Sequence, residues 1–306
     1  MDTPILQYII DNLNEEGTLP DDFNLPEEEE GEGVKFADGA LDGITIYHMG
    51  VAPLNEDDKV KFGGLITLAG TGAFDEAEAG LKDFCREHRA ITIIDDLQTF
   101  IMENTDILDA GKTLTFAMHL LYESTDRELV KVGMSILELF DVYRNEATAD
   151  AIRKIGLCNE FTIFAVFIVR RWPEGEKEIL ELAKKVRGWG RIHCVDFIDA
   201  QDDETKRWLL FNGVDNDVVP AYSAWNVYEK ADVEGVLAKD KLTFEEMEAV
   251  LAIADALMDE GPVSGISKMD NPRAFLDKVI EKAGAGYEFS EEDERILQVA
   301  KEWKEE

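Results

Sequence analysis

What this 306-residue chain has little of sets its first limits. Its three cysteines, Cys85, Cys158 and Cys194, are too few and too scattered for a disulfide framework or for paired metal ligands. Reduced thiols and a cytoplasmic location are the expectation. The four histidines, His48, His88, His119 and His193, are as dispersed. Cys85 and His88 stand a helical turn apart, with no second pair to complete a zinc site. Nowhere does an apolar run reach the ~18 residues of a membrane span. The start, Met1-Asp2-Thr3-Pro4, carries acid where a secretory leader carries positive charge. Membrane association is therefore not expected. Strand signal is scarce as well: Val34-Lys35-Phe36 and Ile44-Thr45-Ile46-Tyr47-His48 flank a turn-rich stretch and predict one short β-hairpin.

Positive charge is the other shortage. Against 66 acidic residues stand 31 lysines and arginines, a formal net charge of −35 on 34.4 kDa. Such a field repels phosphate backbones and anionic lipid, so nucleic acid is disfavoured as a partner and a basic protein is favoured. A 45% hydrophobic share is nonetheless ordinary for a globular protein, so the acidity does not imply disorder.

What is abundant is helical periodicity. Leu6, Ile9, Ile10 and Leu13 form one stripe near the N-terminus, followed by an acidic, Gly- and Pro-rich linker that includes Glu27-Glu28-Glu29-Glu30. Residues 59–69 are ambiguous, because Val60, Phe62, Leu65, Ile66 and Leu68 suit a helix that Gly63-Gly64 weakens. From residue 75 onward the pattern predicts helices near 75–89, 91–103, 112–123, 126–143, 147–155, 159–171, 175–187, 190–200, 203–212, 217–229, 243–259, 270–283 and 290–304. Asp75 with Glu78, Thr125 with Glu128, and Thr243 with Glu246 have capping-box spacing at three of their starts. The division expected is an N-terminal region, 1–74, and a helical-repeat domain, 75–306.

Short loops make successive helices antiparallel neighbours, and adjacent pairs form units of roughly 30–45 residues. Glu178-Ile179-Leu180-Glu181-Leu182-Ala183, Gly190-Arg191-Ile192-His193-Cys194-Val195-Asp196-Phe197-Ile198 and Thr205-Lys206-Arg207-Trp208-Leu209-Leu210 are such segments. On these, residues 113–230 resemble the HEAT/armadillo-like class of α-solenoids. The resemblance implies an all-α stack of antiparallel helix pairs with a curved protein-binding surface, and it brings no catalytic residues with it.

Motifs for chemistry fail on inspection. Gly70-Thr71-Gly72 starts like a dinucleotide loop, but Asp75 stands where its third glycine is needed and would face a pyrophosphate. Gly111-Lys112-Thr113 ends like a phosphate loop, yet Asp106 replaces the upstream glycine. Asp215-Asn216-Asp217 lacks the glycine and glutamate of a calcium loop and reads as a helix stop at Gly213 followed by a cap. Acid pairs such as Asp95-Asp96 and Asp202-Asp203 are what so acidic a chain produces by chance.

One window departs from the acidic norm: residues 170–207 hold nine basic and nine acidic side chains, with Trp172, Trp189 and Trp208 in or beside it. Arginine and tryptophan dominate binding hot spots. The candidate binding residues are therefore Arg170, Arg171, Trp172, Arg187, Trp189, Arg191, Arg207 and Trp208. The expected function is a cytoplasmic protein-interaction module, not an enzyme, with no cofactor or metal and with a basic protein as partner. The alternative is a nucleic-acid- or nucleotide-binding enzyme built on helical repeats, with Asp196 or Asp199 as its acid–base group.

Overall fold

Thr243 shows how this sequence starts a helix. Its hydroxyl accepts from the backbone N–H of Glu246, whose carboxylate accepts from the N–H of Thr243, so two backbone donors that the helix itself leaves unpaired are satisfied. Helices are the only regular structure among the described residues of the computed structural model, 3–26, 36–261, 263–284 and 286–305. The chain is all-α. No described helix is long and apolar enough to cross a membrane.

Two compact units divide the chain, Met1–Gly190 and Arg191–Glu306. The first contains α1 (Ile5–Asp11), α2 (Ala40–Ile44), α3 (Glu56–Thr71), α4 (Phe74–Cys85), α5 (Ala90–Glu103), α6 (Ala110–Glu123), α7 (Arg127–Leu137), α8 (Glu146–Ile155), α9 (Thr162–Val169) and α10 (Gly175–Lys185). Its centre is α7, where every residue from Leu129 to Leu137 is buried, against α4, α5, α6 and α9. Docked on α6 and α8 is α1, and the Ile5 N–H donates to Ser124 O at 3.0 Å.

After α11 (Gly188–Phe197) the second unit continues with α12 (Asp203–Asn212), α13 (Ala221–Lys230), α14 (Val233–Leu237), α15 (Phe244–Met258), α16 (Pro272–Ala283) and α17 (Glu291–Glu305). Here α15 is the covered element, packed by α12, α13, α16 and α17.

The expected hairpin is corrected in its second half. Ile44 ends α2 and residues 45–48 lie in the π-helical turn Thr45–Met49; Val34 and Lys35, in its first half, lie outside the described residues. The physical reason is tertiary: the β-branched residues suit a strand, but Gly43 packs directly under the Trp189 ring and Asp42 is drawn into an ion cluster. Ambiguous residues 59–69 are helical within α3, and Gly63 there faces the Phe100 ring, where a Cβ would lie 2.5 Å from Cε2. Two expected caps also shift. Ala73, with no side-chain cap, precedes α4, and Asp126 instead of Thr125 caps α7 by accepting from Glu128 and Leu129 N–H.

Candidate functional site

The eight residues singled out by charge and tryptophan content fall in both units. In the first, Trp172 is 7% exposed with the Arg153 guanidinium 5.1 Å over its ring, and Trp189 is 6% exposed. Arg170 and Arg171 are exposed and reach the buried carboxylate of Glu138 at 3.4 and 3.9 Å, while exposed Arg187 lines a cavity described below. In the second unit Arg191 is 4% exposed, donates to Asp215 O at 3.0 Å and stacks 5.7 Å from the half-buried Trp208 ring. Arg207 is exposed and lies over Phe211.

Charge is concentrated elsewhere, around a lysine in the buried stretch Leu129–Leu137 of the central helix. Lys131 on α7 has no solvent exposure, and its ammonium donates to Glu160 Oε1 at 2.5 Å, Asp42 Oδ2 at 2.7 Å and Glu128 Oε1 at 3.1 Å. Three acceptors use all three of its N–H bonds. Arg89, which precedes α5, donates to Asp42 Oδ1 at 2.5 Å and lies 3.4 Å from Glu128. Glu128 also accepts from the Ala90 N–H, so the acid expected to close a capping box on its own helix serves the start of α5 instead. Arg127 pairs with Asp38 at 3.0 Å, and Glu160 Oε2 accepts from the Gly39 N–H at 2.8 Å. The cluster thereby fastens residues 38–42 to α5, α7 and the turn before α9.

The electrostatics follow from that geometry. Burial alone would raise Asp42, but the cations of Lys131 and Arg89 outweigh it and hold the carboxyl below the usual range. Burial likewise opposes charge on Lys131, and Glu160, Glu128 and Asp42 more than compensate, raising its affinity for the proton. Asp38 differs. Desolvation there exceeds the help from the Leu25 N–H and Arg127, and its carboxyl is pushed up. It borders a cavity of about 210 Å³ that is also lined by Phe23, Cys158, Asn159, Lys185 and Arg187. Cys158 is fully buried beside Asp38, and desolvation takes its thiol well above the ordinary range, which makes it a poor nucleophile.

The second unit holds a different arrangement. Burial pushes Asp196 on α11 up to about 7, although Lys230 and the Asn226 amide, which donates to it at 2.5 Å, pull the other way. Lys230 itself donates to the carbonyls of Val195 and Asp196. Nearby on the same α13, Trp225 and Tyr228 join Phe275 of α16 in walling a cavity of about 380 Å³. Tyr228 meets Trp225 at 5.5 Å between ring centroids and Phe275 edge-on at 5.4 Å. Glu234 accepts from Tyr228 Oη at 3.1 Å and from Lys278 Nζ at 2.6 Å, and burial with the Glu234 charge raises the phenol to about 12. No group of three or more His, Cys, Asp or Glu side chains that could hold a metal ion occurs among the described residues.

No protein-family model, curated protein or solved structure matches the chain. The buried cluster has the character of a structural clasp, because each cation in it is held by carboxylates of the same unit. A sequence signal for it does exist: Lys131 is the one charged residue in Leu129–Leu137, and a lysine among apolar neighbours needs partners. Those partners come from residues 38–42, 128 and 160, and their convergence is a product of the tertiary fold.

Proposed function

We propose that this protein is an interaction module whose acidic helical surface binds a basic protein. The observation that carries the reading is the placement of exposed apolar side chains among exposed carboxylates. Val60 is 77% exposed, one turn beyond Glu56 and Asp57 on α3, and Met49 is 73% exposed at the end of the π-helical turn. Carboxylates speed encounter with a cationic surface, and apolar side chains supply the area that holds it.

Within this reading Arg170, Arg171, Arg187 and Arg207, all exposed, and half-buried Trp208 are further contacts, and buried Trp172, Trp189 and Arg191 hold the helices that present them. A HEAT/armadillo-like stacking of hairpins belongs to the same proposal. It is supported by the packing of consecutive helices, α3 on α4, α6 on α7, α8 on α9 and α12 on α13. Cytoplasmic location is part of it too, supported by three buried free thiols.

The test is affinity capture on the immobilised full chain at low and moderate salt, followed by binding of each purified captured protein to wild type and to Val60→Asp. The expected partner is basic, binds more weakly as salt rises, and loses affinity to the variant. Capture of nothing, or of neutral proteins indifferent to salt, overturns the reading.

A second reading, a nucleotide- or nucleic-acid-binding enzyme, is favoured by one feature: burial of Asp196 on α11 pushes its carboxyl up to about 7, into the range where an acid–base group works. Steeply salt-dependent binding of RNA or DNA would support it, and absence of binding at low salt would remove it.

A further inference from the structure

One cation at the cavity between α13, α14 and α16 is held over an aromatic ring, and its charge also acts on the Asp196 carboxyl. Lys268 sits in the 3₁₀ turn Ile266–Lys268, and its ammonium lies 5.2 Å over the face of the Trp225 ring. The other lysine at this cavity, Lys278, is neutralised by Glu234. Lys268 instead meets the negative face of an indole, the best of the side-chain rings for holding a cation. Tyr228 and Phe275 continue the aromatic wall, and Glu234 and Asp270 put carboxylates at its rim. At about 380 Å³ the space is at the lower end of the roughly 300–1,000 Å³ of small-ligand clefts.

We propose that this aromatic cavity receives a lysyl ammonium, plain or N-methylated, from a basic protein partner, and that Lys268 is the internal stand-in which that ammonium displaces. The inference rests on the interaction reading above and names the chemistry of one contact. Ring faces attract a cation and are indifferent to its peptide context, so what Lys268 does from within, a lysine of another chain does from outside. The net charge of −35 raises the local concentration of cations at the mouth and opposes an anionic ligand. Because Lys268 is tethered on a short turn, its effective concentration at the ring is on the order of millimolar, and it competes with the incoming group.

The experiment observes the indole N–H signals of the five tryptophans in the full-length protein by NMR, with Trp225 assigned through Trp225→Phe. The probes are the amides of Nα-acetyl-lysine and its Nε-trimethyl form, the neutral tert-butyl isostere of the latter, and inorganic phosphate. Expected are a saturable shift of the Trp225 signal with both cations, about tenfold weaker binding of the neutral isostere, and about threefold or greater tightening in Lys268→Ala, where the competitor is gone. Lys268 is exposed, so this variant keeps the fold. Equal binding of the isostere, unchanged or weaker cation binding in Lys268→Ala, or a phosphate-induced shift lost in that variant would each overturn the proposal. If Trp225→Ala, still folded, binds the captured basic protein as wild type does, the cavity is removed from the interaction and the interaction itself stands. If the cations bind at Trp225 while capture yields no basic protein, the cation site stands and the partner falls.

Discussion

Lys131 and Asp42 are 89 residues apart in the chain and 2.7 Å apart in the fold, with side-chain exposures of 0% and 1%. An ion pair so far from water is held by its surroundings as much as by its own attraction, because removing either charge strands the other in a low-dielectric interior. Asp42 thus ties the segment before α3 to the central helix of the first unit.

Lys131→Met is expected to destabilise the first unit by about 3–5 kcal/mol, since Asp42, Glu160 and Glu128 lose their common cation. Chemical denaturation measures this. Adding Glu160→Gln to the variant should recover part of the loss, because Glu160 is left with only the Arg127 cation at 4.0 Å, whereas Asp42 keeps Arg89. A Lys131→Met protein as stable as wild type would show that the cluster is not a clasp.

Trp189→Ala is expected to cost about 3–5 kcal/mol, the usual result of deleting a buried indole. Its ring packs on Gly43 so closely that a Cβ there would fall 2.2 Å from Cε3. Gly43→Ala should therefore also destabilise, by about 1–3 kcal/mol. Thermal melting checks both: a nearly unchanged midpoint for Trp189→Ala would mean that the packing of its ring on Gly43 adds little to stability.

How far the sequence disclosed this depends on which link is asked about. Thr243-x-x-Glu246 carries its whole meaning locally, and the structure has that box. Thr125 and Asp126 both make good caps, and only the backbone path decides for Asp126. For residues 44–48 local preference pointed to a strand, whereas the anchoring of Asp42 by Lys131 and of Gly39 by Glu160 holds the segment helical. Both anchors span long stretches of chain. The candidate sites show the same limit. Sequence reasoning misses Lys131, although it is the one charged residue in Leu129–Leu137, and the aromatic cavity needs Trp225, Tyr228, Lys268 and Phe275 from three elements, which no spacing announces. Asp196 could be named as an acid–base candidate, while its burial became visible only in the fold.

All three thiols are expected to resist a thiol reagent at pH 8 in the folded protein and to react together on unfolding. Desolvation takes Cys85 to about 12 and raises Cys158 and Cys194 as well, so little thiolate is present in any of them. The native rate should be at least about a hundredfold below the unfolded one. Fast labelling of one cysteine in the native protein would place a reactive thiol in a fold that otherwise has none.

Asp42 and Asp196 make stability respond to pH in opposite directions. Asp42 is held low, so its contribution is present above the unfolded aspartate value of about 3.9 and is lost as pH falls through its lower folded value. Asp196 is raised to about 7, so the folded state binds its proton more tightly than the unfolded state does. Its contribution must therefore improve as pH falls from about 7 toward 4 and must be unfavourable above 7. Asp196→Asn removes that charge and retains an amide oxygen for the Asn226 bond. At pH 8 the variant should be more stable than wild type by on the order of 1 kcal/mol, and the advantage should shrink toward pH 5. Urea unfolding at both pH values decides it: an equal difference at the two, or a less stable variant at pH 8, would mean that Asp196 carries its charge at no cost and is not the acid–base group of any enzyme reading.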